Sequence, residues 1–398
     1  MSQKRERLSR TAGYYAAFVA LGLVGASLGP TLPGLAENTE TLLSEISFLF
    51  TARSLGYLLG SFLGGRLYDR VPGHPVLAAA LIIIAATMAL VPLTALLWAL
   101  SAILLILGVA EGVLDVGGNT LLVWTHRDKV GPFMNGLHFF FGLGAFLSPI
   151  IIAQAVLISG DITWAYWVLA LLAVPVMVWL LPLPSPAAQT DPTAAPIEHI
   201  DHLPSPARQR VLVALIAAFF FLYVGAEIGF GGWVFTYAVE FDLSDETTAA
   251  YLTSAFWGAL TLGRLLAIPV AARYRPRSIL TGDLAGCFTS LGVILLWPHS
   301  LAAIWAGAVG LGLSMASIFP TTLSLAERRM TITGRITGWF FVGGSAGGMS
   351  LPWLIGQFFE SIGPRMMMLT IVVDLGLAVG IFAALIWYDH SARLLRII

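Results

Sequence analysis

The sequence predicts an all-α integral membrane protein: twelve transmembrane helices in two pseudo-symmetric halves of six. Three observations predict it. Hydrophobic residues make up 58% of the 398-residue chain and charged residues only 11%, against about 45–50% and 25% in soluble domains. A chain of that composition cannot cover itself with polar surface, so a lipid bilayer must be its solvent. Apolar runs of about 20 residues, the length that crosses a ~30 Å hydrocarbon core, recur twelve times. Residues VGASLG at 24–29 return as VGAEIG at 224–229, half a chain later.

The runs are 12–33, 44–66, 75–92, 96–123, 133–158, 163–182, 211–238, 247–270, 278–297, 301–325, 336–358 and 364–388. Pro, Gly and charge clusters such as DRVPGHP, HRDKVGP and ARYRPRS separate them. The longest separator, LPSPAAQTDPTAAPIEHIDHLPSPARQR at 183–210, is expected to be a cytoplasmic linker between an N-terminal half, 1–182, and a C-terminal half, 211–398. Lys4, Arg5, Arg7 and Arg10 ahead of an apolar stretch ending Val24-Gly25-Ala26 mimic a signal peptide. The internal copy at 224–229 argues instead for a retained span. With the N-terminus in the cytoplasm, all of the 21 Lys and Arg except Arg53, Arg264 and Arg365 fall on the cytoplasmic side. The positive-inside rule then expects both termini in the cytoplasm and the protein in the cell's inner or plasma membrane.

Composition also excludes functions. A net charge of −1 and scattered basic residues give no nucleic-acid patch, and the single Cys287 allows no intramolecular disulfide. There is no Cys/His metal spacing, no GxGxxG fingerprint and no Walker loop, so no cofactor is expected beyond a coupling ion. A nucleotide-driven pump would need a soluble domain, and none is expected. No nucleophile–base pair marks an enzyme.

The duplication extends past its first motif. Gly144 and Pro149 recur as Gly347 and Pro352, and Asp115, Asn119 and Thr120 align with Ser317, Thr321 and Thr322. A nearly constant offset makes the halves parallel repeats. That arrangement resembles the major facilitator superfamily, which implies a solute site between the halves near the membrane midplane. The loop GSFLGGRLYDRVPGH at 60–74 resembles the superfamily's signature between spans 2 and 3, with Gly65, Asp69, Arg70 and Gly73 in register. It is expected to form an inner gate, with Asp69 latching a helix end or an arginine. An ordinary charged turn is the alternative.

In span 4, AEGVLDVGGNTLL, Glu111, Asp115 and Asn119 form one stripe at i, i+4 and i+8. Membrane acids are costly and usually face a bundle interior or a water cavity. Two carboxylates one turn apart repel if both ionise, so one is expected to hold a proton or both to share a cation. Asp115 and Asn119 supply hard oxygen ligands of the kind an alkali cation such as sodium takes. A structural hydrogen-bond network is the competing account. In span 5, Asn135 and His138 are i, i+3, and His138 could bond a hydroxylated solute or carry a proton.

In span 7 Glu227 stands where span 1 has Ser27, with Trp233 six residues on. A carboxylate and an aromatic platform suit the hydroxyl edge and C–H face of a sugar, and Trp257 and Trp339 are further platform candidates. An ordinary packing or interfacial role competes for each tryptophan. Arg53, Arg264, Asp283 and Asp374 are expected to pair with one another or to serve gates rather than touch solute.

Together GVLDVGGNTLL, NGLHFFFGLGAFLSP and YVGAEIGFGGW resemble the fucose/glucose permease branch of that superfamily. The resemblance implies symport of a monosaccharide such as glucose with sodium or a proton by a monomer, with Asp115, Asn119, His138 and Glu227 among the residues that matter. A proton-coupled exporter of amphipathic drugs or lipids is the alternative. A sensor or scaffold is disfavoured by the preserved loop signature.

Overall fold

A computed structural model describes residues 3–186, 206–330 and 334–394. Those residues are helical apart from short joints: α1 Gln3–Gly25, α2 Leu28–Asn38, α3 Leu43–Ile46, α4 Phe48–Tyr68, α5 Gly73–Leu90, α6 Leu97–His126, α7 Gly131–Ser159 and α8 Ile162–Leu180. The second set is α9 Pro206–Glu240, α10 Glu246–Arg273, α11 Pro276–Leu296, α12 Leu301–Met315, α13 Ile318–Glu327, α14 Gly334–Ile362 and α15 Arg365–Leu394. Ten helical segments among the described residues are long and apolar enough to cross a bilayer, and the pair Arg5–Gly25 with Leu28–Asn38, bent by 46°, forms an eleventh. The 29-residue α14 falls where the eleventh of the twelve apolar runs was expected. Most of the expected linker, 187–205, lies outside the described residues. Helix α9 already begins at Pro206, so its first turns extend into the stretch expected to be linker.

Three of the expected spans are interrupted: span 2 near its start at Ser47, between α3 and α4, and spans 1 and 10, where the same chemistry makes both breaks. Span 1 divides at Ala26–Ser27 and span 10 at Ala316–Ser317. Four residues beyond each alanine stands a proline, Pro30 in SLGP and Pro320 in SIFP. Proline has no N–H for the carbonyl four residues back, and its ring clashes with that carbonyl. In the first turn of a new helix it costs nothing, so α2 and α13 restart around it. The repeat partners carry an acid and no proline: Glu227-Ile-Gly-Phe230 in α9 and Asp115-Val-Gly-Gly118 in α6. Both stay continuous. Each repeat pair thus has one broken helix and one acid-bearing helix.

The halves meet at the end of the bundle that carries the loops 39–42, 241–245 and 363–364. There Leu43 N donates to Glu360 Oε2 (2.9 Å), Gln357 Nε2 to Ser44 O (2.7 Å), Thr51 Oγ1 to Met349 O (3.0 Å) and Gln154 Nε2 to Tyr251 Oη (2.6 Å). The backbones of α2 and α9 touch: a Cβ on Gly29 would lie 2.9 Å from Gly231 O. At the opposite end, where the chain begins, Leu59, Phe62 and Leu63 of α4 and Trp339, Phe341 and Val342 of α14 are exposed. The hydrogen bonds between halves gather at one end, here termed the closed end, and the uncovered faces of α4 and α14 mark the other, here termed the splayed end.

Candidate functional site

Polar side chains of both halves stand on α6, α7, α9 and α10. On the first half, Asp115 and Asn119 of α6 are half-buried. Tyr57 Oη donates to Asp115 Oδ2 (2.6 Å), and Asn119 Nδ2 donates to Asp115 Oδ1 (3.1 Å) and to its backbone oxygen (2.9 Å). Both carboxylate oxygens therefore already accept from neutral donors, and the Asn119 amide oxygen has no hydrogen-bond partner among the described residues. Phe18 of α1 joins this group to α7: it packs where Gly118 leaves room and meets the His138 ring edge-on at 6.1 Å. His138 and Asn135 are exposed on the open side of α7, and His138 lies within electrostatic reach of Arg264 on α10 of the other half. Arg264 Nη2 in turn stands 3.9 Å from Glu227 Oε1 of α9. Asn119 and His138 on the first half and Arg264 and Glu227 on the second are thus the polar groups of this region, the last two in contact at 3.9 Å.

Glu111 has a different fate from the one its spacing implied. Both of its carboxylate oxygens are taken by an arginine. Arg53 of α4 meets it in a fork, Nε to Oε2 at 2.8 Å and Nη2 to Oε1 at 2.5 Å, with side chains only 12% and 4% exposed. The same guanidinium donates to Val24 O (2.9 Å) and Gly25 O (3.2 Å), the carbonyls at the end of α1. A helix C-terminus attracts cations, and bidentate arginine is the donor best shaped for a carboxylate. Arg53 therefore neutralises Glu111 and caps the break at once.

The break in span 10 has a counterpart. Tyr223 Oη hydrogen-bonds Glu227 Oε2 and lies 3.1 Å from Met315 O, the last carbonyl of α12. Across the break, Ser317 Oγ donates to Asp283 Oδ2 of α11 at 2.5 Å. Of Arg53, Arg264, Asp283 and Asp374, expected to pair with one another or to serve gates, the first three pair with other residues. Buried Asp374 of α15 leaves Oδ2 without one among the described residues.

The aromatic platform also needs correction. Trp233 is 0% exposed, lies against Phe50 and Phe359, and donates Nε1 to Pro352 O at 2.9 Å. In this arrangement it is sealed in the closed end. Trp257 is buried against Gly231 and Phe256. Trp339 is 54% exposed near the start of α14, at the splayed end. Gly65, Asp69 and Arg70 are exposed at that end too, and Asp69 and Arg70 make no side-chain bond among the described residues. Tyr57, Tyr223 and the carbonyl-capping role of Arg53 escaped the sequence reading. Tyr223 carried a signal, being one helical turn before Glu227; Tyr57 and Arg53 carried none, because they meet their partners across helices.

Comparison with known proteins agrees with this architecture. The sequence profile described as the Major Facilitator Superfamily matches residues 14–352. A protein named sodium-dependent glucose transporter 1 from Xenopus laevis is 32% identical, over 83% of this chain and 72% of its own length. Its Homo sapiens namesake is 31% identical, over 86% and 72%. Among solved structures, the nucleoside transporter NupG superposes with a TM-score of 0.72 at 15% identity, covering 98% of this chain and 99% of its own, a likeness of fold.

Proposed function

The chain belongs to the major facilitator superfamily, and on that premise we propose that it is a cation-coupled monosaccharide transporter working by alternating access. The observation that carries the reading is the set of hydrogen-bonding groups from both halves, Asn119 and His138 on the first and Glu227 and Arg264 on the second. Donors and acceptors on two sides suit a solute rich in hydroxyls better than an apolar one. The relatives named as sodium-dependent glucose transporters support the sugar and the coupling cation.

On the charge bias of its loops, the end bearing both termini faces the cytoplasm, so the closed end is external and the arrangement is inward-open. Rocking of the halves would close the end that carries Asp69 and Arg70 and open the contacts of α2, α3 and α14. Labelled hexose uptake into proteoliposomes, with sodium and proton gradients imposed separately, tests the reading. Accumulation under one gradient is expected. No hexose accumulation under either, alongside gradient-driven movement of a lipophilic dye, would replace the sugar reading with that of an exporter of amphipathic compounds.

A further inference from the structure

The two helix breaks differ in what closes them, and the difference points to a cation site. At the span 1 break, two backbone carbonyls and the Glu111 carboxylate converge on the guanidinium of Arg53. This is a complete cation site in which the cation is a side chain. The span 10 break gathers the same kinds of oxygen: Met315 O at the end of α12, the Glu227 carboxylate, and the Tyr223 hydroxyl between them. Tyr223 has one proton to give and two acceptors to give it to. The surplus of oxygen over donors is what a cation corrects.

Arg264 stands on the other oxygen of Glu227, at 3.9 Å and 29% exposed. It does not reach into the break as Arg53 does. Half-helix C-terminal carbonyls beside a carboxylate are ligands that secondary transporters use for small monovalent cations, and an all-oxygen set favours a hard ion.

We propose that Glu227 Oε2, Tyr223 Oη and Met315 O form the sodium site of this protein. The inference rests on the cation-coupled reading above and moves the cation from Asp115 and Asn119 to the second half. Glu227 then has two faces. Oε2 takes the ion at the break, while Oε1 faces Arg264 and the solute path. Sodium and Arg264 compete for one carboxylate, and the solute meets whichever arrangement results. Sharing that carboxylate couples ion to sugar without a second site.

Radioactive sodium binding to purified protein in nanodiscs, with no sugar present, tests the assignment. Saturable binding is expected. Tyr223→Phe removes one ligand and should raise the half-saturating sodium concentration about tenfold, the lower end of what a lost supporting interaction costs a metal site. Arg264→Gln removes the competitor and should lower that concentration, a gain that mere structural damage would not produce. The site is overturned by absence of saturable binding, by wild-type affinity in both variants, or by binding that Asp115→Asn abolishes and Tyr223→Phe leaves intact. Hexose uptake is scored separately: if the sodium results hold while no hexose moves, the ion site stands and the sugar reading falls.

Discussion

Glu111 and Glu227 each stand beside an arginine at a break in a neighbouring helix, yet the two pairs are built for different work. The Arg53–Glu111 pair is forked, nearly dry and tied to the carbonyls of α1. The Arg264–Glu227 pair is a single contact at 3.9 Å with 29% and 13% of its side chains exposed. A buried ion pair with every hydrogen bond filled holds structure and resists exchange. A loose, wet pair costs little to part and can trade its arginine for a ligand. The first pair is fixed in the interior at a helix break, and the second is left loose and partly exposed.

The largest way to break that contrast is Arg53→Ala. It strands Glu111 in the interior, and losing one partner of a buried pair costs about 3–5 kcal/mol. Thermal unfolding in detergent should show a large drop, while Arg264→Ala should cost much less. Equal losses would mean that the pairs are equivalent. Next, Pro30→Ala restores the N–H that the Ala26 carbonyl lacks, removing a penalty of up to about 3 kcal/mol against a straight helix. The bend between α1 and α2 should relax, and spin-label distances across it should lengthen. Gly29→Val should follow at about 1–3 kcal/mol, the usual range for overpacking, because its side chain meets Gly231 O and Gly232 O. It opposes closure at that end only, so reagents applied from the N-terminal side should reach fewer positions. Asp69→Asn should have the smallest effect. The residue is exposed and unengaged here, and a surface charge is worth at most about 1 kcal/mol; turnover should slow without a change in solute affinity.

Much of this architecture was legible as sequence, and what was not has physical reasons. Span positions follow from run length, so ten helices, a bent pair and α14 fall where apolar runs were counted. Glu227 announced itself as an acid in one copy of a repeat. The breaks were written in SLGP and SIFP, yet both lay within runs long enough to count as single spans. Pairing was illegible: Arg53 and Glu111 are 58 residues apart, and no local period says which turn of α4 faces which turn of α6. For the same reason Trp233 reads as an accessible platform in sequence and is walled in by α4 and α14 in the fold. Intrahelical neighbours such as Tyr223 and Glu227 follow from spacing; contacts between helices do not.

The contrast between the two pairs is tested most directly by the sodium dependence of hexose uptake in Glu111→Gln and Glu227→Gln, normalised to folded protein in the membrane. The account predicts that Glu111→Gln yields less folded protein, but that what folds keeps the wild-type sodium dependence. Glu227→Gln should fold well and lose its response to sodium. The reverse result, with sodium dependence lost in Glu111→Gln and intact in Glu227→Gln, would contradict it.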